Sequence, residues 1–332
     1  MLLQIFDWII MLQNPYLKLF RISNVFTIPP DIIVGFLAVA LSINPSIGYN
    51  ISDLVILIFS SIFLYLGGMV SNDLFDIRVD RLERPTRPLP SGEIRKTNAL
   101  LLAILMFSLG IILASFVNLS AVGISMLLII GILSYNYRIK NGFFRPYLMA
   151  GIRALNVLYG ASFVFDLSSN STVENGSLLM SNTDFNSSLL LALASFAVYF
   201  HVFVLTSLSK NETTREFLIV KNALNIQRIQ ITYLIFLLIT LSLAIILVPL
   251  KLDFLIFILL FLFLINLLFG KASKMDRSRG EFMMRFLVKY MLILLIILDS
   301  AFIAGEVGLL PGSIVALLTI PCIVLGRWIS MT

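Results

Sequence analysis

The sequence predicts an all-α fold, a polytopic bundle of transmembrane helices. Three observations predict it. Of 332 residues, 59% are hydrophobic and only 13% charged, about half the charged share of an ordinary soluble domain. The mean hydropathy is +1.00. The apolar residues gather in runs of roughly 20, the helical length that crosses a hydrocarbon core of about 30 Å. These features exclude a soluble globular enzyme, a disordered chain and a secreted disulfide scaffold. The single cysteine, Cys322, leaves no intramolecular disulfide to form.

The elements follow in order. The start, MLLQIFDWIIMLQ, has no basic region and no small-residue cleavage site, so residues 1–24 read as a retained interfacial segment and not a signal peptide. Ten apolar segments come next, at 25–43, 54–71, 97–117, 120–137, 146–166, 188–208, 229–249, 252–270, 284–304 and 311–328. No internal repeat is visible, and the whole of 1–332 reads as one membrane domain.

The linkers divide by charge. Those on one side carry 19 of the 24 basic residues, and those on the other carry only Lys251. The positive-inside rule places the first set, and the N-terminus, in the cytoplasm. The net charge of +6 is low for this length and reflects topology, with no sign of nucleic-acid binding. The opposite linker at 167–187 carries N-x-S/T sequons at Asn170, Asn175 and Asn186. They are acceptor sites in a glycosylating host, or chance matches in a Ser/Asn-rich loop.

Charge is scarce, and it is densest in SNDLFDIRVDRLERPTRPLPSGEI, residues 71–94. On a helix running out of the second span, Asn72, Asp73, Asp76 and Asp80 share one face. Three carboxylates on one face repel unless a cation joins them. Their hard oxygens suit Mg²⁺, which also takes phosphate oxygens. Arg84 and Arg87 follow in a segment that Pro85, Pro88 and Pro90 keep from continuing as helix. Carboxylates for a metal beside guanidinium groups for phosphate make a diphosphate site.

This run resembles the first aspartate-rich motif of the UbiA-type intramembrane prenyltransferases, N-D-x-x-D-x-x-x-D followed by R-P-x-R-P-L and G. Further along the chain, Arg21 and Asn24 in KLFRISNVFTIPP resemble the family's R-x-x-N opening, and Gly35 sits where the family often has a glycine. YNYRIKNGFFRPYLMAGIRALNVLYG is similar to its tyrosine, lysine and glycine pattern through Tyr135, Lys140, Arg153, Asn156 and Gly160. The resemblance implies a helical bundle around a central cavity, an Mg²⁺-bound prenyl diphosphate, and prenyl transfer to a lipophilic or aromatic acceptor among membrane lipid. Family members usually have nine spans, one fewer than the ten marked here. The usual second aspartate-rich segment is replaced by LTSLSKNETTREF, which offers Lys210, Glu212 and Glu216. Degenerate second motifs occur in the EboC-like branch, and the ending LGRWISMT resembles that branch's close.

Residues and resemblance together make Asp73, Asp76 and Asp80 the expected catalytic carboxylates and Mg²⁺ ligands, with Asn72 assisting and Glu212 and Glu216 on a second metal. Arg21, Asn24, Asn72, Arg84, Arg87, Tyr135, Lys140, Arg153, Asn156 and Lys210 are the expected substrate binders. Tyr135, Asn136 and Tyr159 are candidate shields for an allylic cation. Arg153 lies inside a span, where an arginine marks a functional site unless it snorkels. His201, the only histidine, reads as a polar contact between helices. Asp299 reads as an interhelical partner or a functional acid, and Asp31 as a cavity or backbone contact. Two other readings stand beside the transferase: a lipid-binding or assembly subunit without turnover, and a small-molecule transporter. The contiguous Asp-rich and Arg-rich motif favours the transferase.

Overall fold

Asn14 starts the first described helix by accepting the Tyr16 backbone N–H at 2.9 Å, with Pro15 in the position that needs no donor. The structure is a computed structural model. It describes residues 14–40, 50–137, 143–164, 182–210, 252–274 and 280–326, together with 231, 233–235, 237–240 and 242. All regular structure among these residues is helical.

After α1 (Pro15–Leu19) a 3-10 stretch, Ile22–Thr27, leads into α2 (Ile28–Ala40). The next helix, α3 (Ile51–Glu83), has 33 residues. At 1.5 Å per residue it is about 50 Å long, well beyond a hydrocarbon core of about 30 Å. The expected span at 54–71 is therefore only its first part, and the charged motif rides on its continuation. α4 (Lys96–Ser115) and α5 (Leu119–Asn136) form a tight hairpin. Asn118 closes it, accepting the Ala121 N–H at 2.7 Å and donating to the Ser162 carbonyl at 2.9 Å. Then come α6 (Arg145–Gly160), α7 (Asn182–Lys210), α8 (Asp253–Lys274) and α9 (Gly280–Val307).

Two expected spans differ from their description in the sequence. The segment 146–166 is a 16-residue helix followed by a 3-10 turn, Ser162–Val164. The segment 311–328 is two short helices, α10 (Leu309–Ala316) and α11 (Thr319–Leu325). α11 folds back so that Cys322 packs with Ile293, Ile296 and Phe26, and Lys289 donates to the Gly326 carbonyl at 2.7 Å. The described part of the apolar run, 311–326, thus serves as a cover over α9 and the Ile22–Thr27 stretch. Among the described residues, seven helices are long and apolar enough to cross a membrane. The expected span at 229–249 lies largely outside them, as do the sequons at Asn170 and Asn175.

Two glycines set a close contact between α2 and α6. A methyl group on Gly35 of α2 would overlap the Val157 carbonyl, and one on Gly160 of α6 would overlap the Ile32 carbonyl. Small residues let two membrane helices approach backbone to backbone. This contact brings Arg153 of α6 against Thr27 and Asp31. Elsewhere, His201 ties α7 to α9. Its Nε2 meets the Met291 carbonyl at 2.9 Å, which only accepts, so Nδ1 is the acceptor for the Tyr233 hydroxyl.

Candidate diphosphate site

The site grows from the end of α3. Arg84 caps that helix, its N–H donating to the Asp80 carbonyl at 2.8 Å. Pro85 cannot continue the helix. The following turn is held by Arg87 N–H to Arg84 O at 3.1 Å, Ser91 N–H to Arg87 O at 2.9 Å and Ile94 N–H to Pro88 O at 3.1 Å. Gly92 supplies the positive φ of 86° that the turn needs. Leu89 and Ile94 anchor it by burial against Leu19, Val70, Ile77, Ala99 and Ala103.

The anchored turn swings Arg87 back over α3. Its Nη1 lies 2.7 Å from Asp80 Oδ2 and 3.5 Å from Asp73 Oδ1. Arg21 Nη2 reaches the same Asp73 oxygen at 3.1 Å. Arg21 is the only described non-glycine residue with positive φ, at 45°. Such a backbone costs on the order of 1–3 kcal/mol and persists where its surroundings impose it.

A cavity of about 380 Å³ opens beside this network. Arg21, Asn24, Asn72, Asp76, Asp80, Arg84, Arg87, Tyr135, Asn136, Arg153 and Asn156 all line it, so the structure brings together eleven of the residues singled out from the sequence. Ile28, Leu64, Leu128, Ile132, Val288 and Leu292 give it an apolar wall. Asp73 is not among the lining residues; it sits behind them, holding Arg21 and Arg87. Lys140, Glu212 and Glu216 lie outside the described residues, and so does the side chain of Lys210.

Some expectations change. Tyr159 does not shield the cavity. It is fully buried, sharing a 2.7 Å hydrogen bond with Ser60, which donates at 2.6 Å to the Gly110 carbonyl. Asn136 does line the cavity, with its Nδ2 donating to the Gly68 carbonyl at 3.0 Å. Sequence reasoning left out Arg145, Glu83 and Tyr65, which also line the cavity. The Arg145 guanidinium sits 5.0 Å from the centre of the Tyr135 ring. Its position ten residues after Tyr135, at the start of α6, was the available signal.

Deeper along the wall, Arg153 is sealed. It donates to the Thr27 carbonyl at 3.0 Å, the Thr27 hydroxyl at 2.7 Å and Asp31 Oδ2 at 2.9 Å. Asn156 donates to the same Asp31 oxygen at 3.0 Å and accepts from Ser61 at 2.6 Å. Arg153 therefore does not snorkel. Its charge is matched inside the bundle.

No three acidic, histidine or cysteine side chains among the described residues form a ready metal cluster. Asp73 and Asp80 are bridged by a guanidinium instead. The side-chain donors of α3 that face the cavity, Asn72, Asp76 and Asp80, still offer the oxygen ligands that suit a hard cation sharing phosphate oxygens. The residues fit Mg²⁺.

The UbiA prenyltransferase family model matches residues 32–296. Digeranylgeranylglyceryl phosphate synthase of Saccharolobus solfataricus is 34% identical over 151 residues, which are 45% of this chain and 52% of that protein. The chain thus spans about half the length of the curated relatives it matches. A solved structure concerning digeranylgeranylglyceryl phosphate synthase in membranes aligns with TM-score 0.58 and 20% identity, covering 90% of this chain and 99% of that one. The apo structure of a UbiA homolog from Aeropyrum pernix K1 aligns with TM-score 0.57 and 18% identity, covering 85% and 97%. These structural likenesses speak to the fold. The relatives point to digeranylgeranylglyceryl phosphate synthases and are not specific to the EboC-like branch suggested by the C-terminal residues.

Proposed function

Because the chain belongs to the UbiA prenyltransferase family, we propose that it transfers a prenyl group from a prenyl diphosphate to a lipophilic acceptor within the membrane. The proposed acceptor carries a glyceryl phosphate, the group named in its relatives. One observation carries this reading: guanidinium and carboxylate groups gather on a cavity whose remaining wall is apolar. The charged groups suit a diphosphate and the apolar wall suits an isoprenoid tail.

Asn72, Asp76 and Asp80 would hold Mg²⁺, with Asp73 supporting them and Glu212 and Glu216 available for a second ion. Bound there, Mg²⁺ would neutralise charge on the diphosphate oxygens. The chain's own residues do the rest. As the allylic carbon–oxygen bond breaks, negative charge grows on the departing diphosphate. Arg21, Arg84 and Arg87 line the cavity where their guanidinium groups can receive it. The Tyr135 and Tyr65 side chains line the same space, where an aromatic face steadies a cationic carbon. The apolar wall keeps water from competing with the acceptor. The acceptor hydroxyl oxygen bonds to the allylic carbon as the carbon–diphosphate bond breaks, and its proton passes to the departing diphosphate.

The proposed topology has nine crossings, with the charged end of α3 in the cytoplasm, supported by the basic residues clustered on that side. The test is pyrophosphate release by the purified protein in nanodiscs, with Mg²⁺ and geranyl, farnesyl or geranylgeranyl diphosphate and a glyceryl phosphate acceptor. Release should require Mg²⁺ and vanish in Asp76→Asn. Full release by that variant would overturn the assignment. Saturable diphosphate binding without release would favour a lipid-binding subunit.

A further inference from the structure

Asp299 of α9 plays no part in the chemistry above, yet it is fully buried and reaches Asp31 of α2, also fully buried. Asp31 Oδ2 is occupied by Arg153 at 2.9 Å and Asn156 at 3.0 Å. Its Oδ1 has no donor among the described residues, nor has either oxygen of Asp299. The charged groups acting on Asp299 are Asp31 and Arg153. With both acids ionised, two carboxylates would face each other against one guanidinium, leaving an unmatched negative charge in an apolar interior. One proton resolves both problems. It removes the surplus charge and makes Asp299 the missing donor for Asp31 Oδ1.

We propose that Asp299 is held as a neutral carboxylic acid whose O–H donates to Asp31, making it a positioning residue for Arg153 on the cavity wall. Asp31 is the acid that fixes the Arg153 guanidinium, and Asp299 fixes Asp31 from the opposite helix. The cavity wall is thereby tied to the packing of α9 against α2, which no local motif in the sequence encodes.

Infrared spectroscopy of the full chain in nanodiscs tests the proton directly. The wild-type protein should show the carbonyl band of a protonated, buried carboxyl at neutral pH, and Asp299→Asn should lose it. Kinetics test the positioning role, and this arm rests on the proposed transferase reading. The asparagine amide still donates to Asp31, so Asp299→Asn should keep the wild-type KM for geranylgeranyl diphosphate. Asp299→Leu leaves Asp31 Oδ1 without a donor and should raise that KM about tenfold, with a smaller change in kcat. A wild-type protein without the band, or an asparagine variant that keeps it, overturns the proposal, and the first result needs no variant to fold. An asparagine variant as impaired as the leucine one overturns the positioning role. The expected infrared result with no turnover of any prenyl diphosphate supports the proton and sinks the transferase reading alone.

Discussion

Two arginines line the same cavity and are held in opposite ways. Arg87 comes from an anchored turn, keeps 16% of its side chain exposed, and grips two carboxylates of the helix just before it. Arg153 comes from mid-helix, keeps 7%, and is locked by a carbonyl, a hydroxyl and a carboxylate that is itself fully buried. Around Arg87, which lines the cavity, a ligand oxygen can take the place of a carboxylate. Around Arg153 nothing can. Two arginines that line one cavity are therefore not equally mobile: Arg153 serves the wall from a fixed position, while Arg87 can exchange its partner.

The contrast breaks most readily at Asp31. Asp31→Leu strands the Arg153 charge in the interior and should cost about 3–5 kcal/mol, read as a fall in the thermal unfolding midpoint in detergent. A wild-type midpoint would erase the distinction between the two arginines. Arg87→Gln should do the reverse. Turnover should drop roughly 10²–10³-fold, while the midpoint should fall less than in Asp31→Leu, because Arg87 and its carboxylates sit beside the cavity and Arg21 still meets Asp73. A large loss of stability there would mean that Arg87 is scaffold too. Gly160→Ala asks whether the sealed network depends on the backbone contact of α2 with α6. The added methyl meets the Ile32 carbonyl and should cost about 1–3 kcal/mol; an unmoved midpoint would show that the contact yields freely. The mildest change is Ser61→Ala, which removes the donor to Asn156. It should cost about 0.5–1.5 kcal/mol, and its effect should vanish when Asn156 is already replaced.

The charged network was readable where it is local. The 71–94 run announces a helix, a proline break and a return, and α3 and its turn build that. The role of Asp73 was not readable. Its position on the α3 face resembles that of its neighbours, and what sets it apart is Arg21, 52 residues upstream. The sealed network was half readable. Arg153 stood out as an arginine inside a span, and Asp31 as an acid after two prolines, but nothing in the spacing pairs residues 122 apart. Gly35 and Gly160 were noticed only as matches to a family pattern. Their reason lies in the crossing of two backbones, which exists only once both helices are packed. The last apolar run has the length and hydropathy of a span, but it breaks after Ala316 and its second part caps α9.

The separation of Asp31 from Arg153 also bears on the order in which the protein is made. Arg87 and Asp80 are seven residues apart and meet as soon as the turn after α3 emerges. Asp31 enters the bilayer with α2, while the helix carrying its counter-charge follows only after three further helices. An aspartate deep in a bilayer costs on the order of 3 kcal/mol on an insertion scale. The nascent chain carries that cost until α6 arrives. Truncation after α5 therefore leaves α2 with a carboxyl lacking its partner, and the ribosome must deliver α6 before this half of the bundle can close.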